Sequence, residues 1–146
     1  MKATLKWASV LALAGCAVAA QARDDVRDYS IVEALSSEQA KETLGTNIKF
    51  YFGSQKHGTV SKRFGEFGTN KKTNGFNKTD KGACEWVFLS AMKALKERAE
   101  KEGGNAVVNI RSNYRDNLTS SNETFKCGSG ALMSGVALIG DVVTIK

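Results

Sequence analysis

Proline is absent from all 146 residues, so slow X-Pro isomerisation cannot limit folding. Histidine occurs once, at His57, and cysteine three times, at Cys16, Cys84 and Cys127. With no closely spaced cysteine pair, the chain lacks the ligand pattern of a structural zinc site, which needs about four such side chains. No Gly-x-x-x-x-Gly-Lys-Ser/Thr segment is present, and this excludes a P-loop that would cradle nucleotide phosphates. The serine of Gly128-Ser129-Gly130 has neither the spacing nor the strand-to-helix setting of a nucleophile elbow. As a general base, His57 would need an orienting carboxylate and a nucleophile beside it, and the sequence supplies no such constellation. The expectation is therefore a protein without catalytic residues, metal or cofactor.

What is present begins with the leader. Lys2 and Lys6 precede an uncharged run from Trp7 to Ala20, then Ala20-Gln21-Ala22 and the polar Arg23-Asp24-Asp25. That is the layout of a cleavable export signal over residues 1–22, and the run falls short of the ~20 apolar residues that cross a bilayer comfortably. Leu13-Ala14-Gly15-Cys16 offers a second route, since it fits the motif at which bacterial lipoproteins are cleaved and acylated on cysteine. Cleavage after Ala22 is the expectation, because the apolar stretch before Cys16 is short for lipidation. Export implies the periplasm, with an outer-membrane lipoprotein as the alternative. In an oxidising compartment Cys84 and Cys127 read as a disulfide.

Residues 23–146 then form one domain. The apolar share (42%) and charged share (25%) of the whole chain are those of a globular protein. Without residues 1–22, 19 bases face 15 acids, so the domain is mildly basic.

A short strand is expected before Leu35, and Ser36-Ser37-Glu38-Gln39 caps a short helix that Gly45 stops. Ile48–Phe52 and Val60–Phe67 read as two strands of a hairpin, with Gly65 as a bulge. Thr69–Gly82 reads as a polar loop rich in lysine and asparagine, in which Asp80 is a candidate cap for the helix that follows. From Ala83 to Glu102, Cys84, Val87 or Phe88, Ala91, Leu95 and Ala99 recur at helical steps, with Glu97–Lys101 as an i,i+4 pair on the other face. Strands follow over Asn105–Arg111 and Glu123–Gly128. The apolar tail Ala131–Ile145 supplies one or two more, broken at Gly135 and Gly140. This order predicts a small α+β domain, one long helix on a mostly antiparallel sheet, closed by one disulfide.

The run from Ala91 to Arg111, a helix ending in Gly103-Gly104-Asn105-Ala106-Val107-Val108, is similar to YbjQ-like domains and to the outer-membrane lipoprotein sensor of the Rcs envelope-stress system. That sensor's further cysteines have no counterpart here. Over most of its length, including Phe50-Tyr51-Phe52-Gly53 and Thr69-Asn70-Lys71-Lys72-Thr73-Asn74, the chain resembles uncharacterised exported proteobacterial proteins. Some of these carry the label excinuclease ATPase subunit, an activity that the missing P-loop excludes here. The resemblance to the sensor implies a signalling or scaffolding role with an envelope protein as partner.

One segment stands out by charge. From Lys49 to Lys81, eight bases face only Glu66 and Asp80, with Phe64, Phe67 and Phe76 interleaved. Lys71, Lys72, Lys78 and Lys81 are the candidate anion-binding residues. The expected function is non-enzymatic binding in the envelope, of a protein partner or, through this basic segment, of an anionic ligand. Nucleic acid is not expected in that compartment, a membrane contact is expected only with Cys16 acylated, and the apolar tail leaves a homo-oligomer open.

Overall fold

The computed structural model describes residues 24–146, so the expected signal peptide and Cys16 lie outside the described residues. In chain order the elements are β1 (Asp25–Ser30), α1 (Ile31–Leu35), α2 (Glu38–Leu44), β2 (Lys49–Phe52), β3 (Val60–Asn74), α3 (Asp80–Glu102), β4 (Ala106–Tyr114), β5 (Asn117–Thr119), β6 (Thr124–Ser129) and β7 (Met133–Ile145).

Helix α3 forms where the apolar stripe places it, and its ends are chemically marked. Thr79 is the N-cap, its Oγ1 accepting from Gly82 N at 3.0 Å, so the helix opens at Asp80 rather than Ala83. Asp80 is therefore a first-turn acid rather than the cap. Gly103 closes the helix in the left-handed conformation (φ 85°), its N–H bonded to Ala99 and Glu100 carbonyls. Cys84, Val87, Phe88, Ala91, Leu95 and Ala99 are each at most 1% exposed, as the periodicity requires. On the outer face Glu97 pairs back to Lys93 (3.8 Å) rather than forward to Lys101.

Strand β7 is the spine of a seven-stranded sheet. It pairs with β3 along its whole length on one side, and with β4 and β6 on the other. Strand β1 adds to β6 antiparallel, and β2 adds to β4 parallel. Helix α3 covers one face of this sheet over Phe52, Val107, Phe125, Val136, Leu138 and Val142. The α+β class, the long helix on a mostly antiparallel sheet and the Cys84–Cys127 disulfide are as the sequence implies.

Three expectations are corrected. The β2–β3 hairpin does not form. Ser54 N bonds Asn122 Oδ1 and Gln55 Nε2 bonds the Asn122 carbonyl, so the chain leaves β2 tied to a distant loop and β3 pairs with β7 instead. Residues Thr69–Asn74 are strand rather than loop, because β7 supplies them with a regular antiparallel partner from Leu138 to Met133. The tail is one unbroken strand. Gly140 lies against Val107 and Ile110 side chains, where a Cβ would collide, so this glycine permits close packing rather than a turn. The bulge expected at Gly65 is present, with φ 135° and a shift of register.

The face away from α3 carries a comparable device. Gly128 and Gly135 are opposed across β6 and β7, and the Tyr114 ring lies over them. A Cβ on Gly128 would overlap Tyr114 Cζ and Oη. Gly128→Ala is expected to cost about 1–3 kcal/mol by overpacking. Tyr114→Ala in the same chain should remove most of that additional cost, which a double-mutant cycle by denaturant unfolding measures directly.

Candidate functional site

The four lysines expected to bind an anion do not converge. Lys71 and Lys72 are successive residues of β3, so their side chains leave opposite faces of the sheet. Lys71 lies opposite Val136 on the α3 side, and Lys72 opposite Gly135 on the other. Lys78 sits in the connection to α3, its Nζ 5.9 Å from the centre of the Trp86 ring. Lys81 is bridged to Glu33 at 2.7 Å and lies 3.9 Å from Glu85. The hydrogen bond from Lys81 to Glu33, and that carboxylate's charge, hold its pKa above the usual lysine value. It is a neutralised cation on the surface rather than a free one.

The structure brings Lys71 to a residue that the charge run does not contain. A groove of about 420 Å³ between β3 and α3 is lined by Phe67, Thr69, Lys71, Ala94, Leu95 and Arg98. The Arg98 guanidinium carbon lies 4.2 Å from the centre of the Phe67 ring, a cation–π contact at the wall of the groove. Its Nε is shielded from water, makes no hydrogen bond, and lies 3.4 Å from a Glu102 oxygen. The sequence signal for Arg98 is faint. It follows Leu95 by three residues, which sets it at the margin of the apolar stripe, where a long side chain lies along the core edge.

Beside this groove runs an open strand edge. Among the described residues β3 pairs with β7 alone. Gly75 N donates to Leu132 O at 2.8 Å, and the register is regular from Gly65 to Asn74. Alternation of the ladder then turns the backbone groups of Asn70, Lys72 and Asn74 outward. The bulges, which normally blunt an edge, are confined to the stretch from Val60 to Gly65.

No protein-family model, curated protein or solved structure matches this chain.

The remaining candidates lie elsewhere. Cys84 and Cys127, both fully buried, are joined across 43 positions and pin the first turns of α3 to β6. Ser129 Oγ is 3.3 Å from Cys84 Sγ and the same distance from Ser134 Oγ, so these inward hydroxyls satisfy one another. The His57 ring faces Tyr51, and its Nδ1 lies 2.7 Å from the carbonyl of Gly58, its chain neighbour. Of the other expected cations, Lys62 lies over Phe64 and Arg63 pairs with Asp141. Among the described residues no three His, Cys, Asp or Glu side chains gather as a metal site. No helix among them is long and apolar enough to cross a membrane.

Proposed function

We propose that the protein is a non-enzymatic interaction module of the bacterial cell envelope that takes an extended acidic segment of a protein partner along β3. The observation that carries this reading is a free strand edge over Asn70–Asn74 flanked in one groove by Lys71 and by Arg98, whose Nε side is paired with Glu102. Strand addition draws affinity from main-chain hydrogen bonds and specificity from alternate side chains. An acidic side chain on the α3 side would meet Lys71 and Arg98, and one on the opposite side would meet Lys72. A second copy of this chain fits poorly, because antiparallel self-pairing at this point would oppose lysines to lysines. The export leader and the disulfide support placing the module in the periplasm.

A synthetic peptide of alternating glutamate and valine is the direct probe. It is expected to bind at low salt and to weaken as ionic strength rises. Lys71→Glu combined with Arg98→Gln should reduce affinity about tenfold or more, since truncating paired charges at an interface costs about 2 kcal/mol or more. Lys81→Glu should change it little, because Lys81 is already matched by Glu33. Methylating alternate peptide nitrogens should abolish binding if the ladder is extended. Binding that survives methylation but not the charge changes would assign the groove to a small anionic ligand instead.

A further inference from the structure

Three of the exposed large apolar side chains lie together at one pole of the sheet. Leu132 is 64% exposed, Phe76 63% and Met133 51%. They come from separate turns that the strand pairing brings together. Phe76 follows Asn74 and Gly75, whose partners in β7 and its approach are Met133 and Leu132. Isolated exposed apolar residues are ordinary, but three large ones on adjacent loop tips form a surface that water disfavours.

The charges around this pole are sorted. Asp24 pairs with Arg115, Asp25 with Arg27 and Glu33 with Lys81. Asp80 stands in the first turn of α3, where the helix dipole favours an acid. Lys72, which lines a cleft with Met133, and Lys78, whose N–H bonds the Gly75 carbonyl, have no carboxylate partner among the described residues. The pole thus presents apolar tips beside two unneutralised cations, the composition of a surface that settles at the headgroup boundary of an anionic bilayer.

The chain also enters the domain here. Asp24 lines the same cleft as Gly130 and Met133, and Asp25 pairs with Ser129. Cys16 is eight residues upstream of Asp24, a span of at most roughly 28 Å when fully extended. A lipid on Cys16 would therefore hold this pole, rather than the far one at His57 and Lys146, close to the bilayer.

We propose that this pole, Phe76, Leu132 and Met133 with Lys72 and Lys78, is a membrane-contacting surface that docks on anionic phospholipid.

The test uses protein purified from cells and vesicles of equal phosphatidylglycerol and phosphatidylcholine with brominated acyl chains. In a Trp7→Phe, Trp86→Phe background, a single reporter is introduced as Phe76→Trp, as Leu132→Trp, or as His57→Trp at the opposite pole. Emission of the first two should fall at least roughly twofold more than that of the third, and Lys72→Glu with Lys78→Glu should remove the difference. The contrast between poles holds whether or not the protein is lipidated, because a tether alone leaves loop tips unquenched. Equal quenching at both poles, or none at Phe76→Trp and Leu132→Trp, would overturn the proposal. Neither outcome bears on peptide binding at Lys71 and Arg98, so the two readings fail separately.

Discussion

Replacing Cys84 and Cys127 together by alanine is expected to lower stability by about 4 kcal/mol, the loop-entropy value for a closure of this length. The bridge spans 43 positions and encloses most of α3, all of β4 and β5, and half of β6. Without it the unfolded chain regains the freedom of that whole loop, while the folded sheet and helix keep their other contacts. Both sulfurs are fully buried, so alanine also leaves a small void, whereas serine would add two hydroxyls to a site already holding Ser129. For a domain of this size the midpoint of thermal unfolding should fall on the order of 10–20 °C. Reduced wild-type protein should unfold with the double variant. Overlap of oxidised and reduced unfolding curves would show that this closure contributes nothing.

Phe88→Ala is expected to cost about 3–5 kcal/mol, the range for emptying a fully buried aromatic site. Phe88 is 0% exposed and is stacked on Phe125 with ring centres 3.9 Å apart and planes at 13°. Phe52 approaches its ring to 6.1 Å, so this helix residue meets aromatics from two strands, and Tyr29 extends the cluster by stacking on Phe125 at 5.8 Å. Alanine would remove the centre of this stack, and the surrounding strands, fixed by their ladders, could relax only in part. Phe88→Leu should recover most of the loss because it refills the volume. Phe76→Ala, at a site 63% exposed, should stay within about 0.5 kcal/mol of wild type. Denaturant unfolding of the three variants measures the series, and equal effects at Phe88 and Phe76 would contradict the assignment of the core.

The helix was legible because its signal is local. Cys84, Ala91, Leu95 and Ala99 fall at steps that only a helix can place on one face, and Gly103 needs no distant partner to end it. The disulfide was legible because an expected export leader containing Cys16 leaves an even pair of cysteines, Cys84 and Cys127. Strand pairing is not local, and there the sequence misleads. Nothing in Lys49–Phe52 indicates that its partner is the strand beginning at Ala106, in parallel. The polar run Thr69–Asn74 lacks the apolar alternation of a half-buried strand because, on the sheet's edge, only Thr69 and Thr73 are half-buried beneath α3. Arg115 and Asp116, both at positive φ, turn β4 into β5 without the glycine that such turns favour. The groove between β3 and α3 is hidden from the sequence for the same reason. Lys71 is visible in the charge run, but Arg98 joins it only once α3 folds back over β3.

The most direct measurement is a nuclear magnetic resonance titration of the isotope-labelled protein with the alternating acidic peptide, followed through the backbone amides. Strand addition predicts the largest shifts over Phe67–Asn74, with smaller ones at Ala94–Arg98 across the groove, and slowed amide exchange at Asn70, Lys72 and Asn74. Shifts concentrated elsewhere, or shifts at lysine side chains with no protection of these three amides, would contradict it.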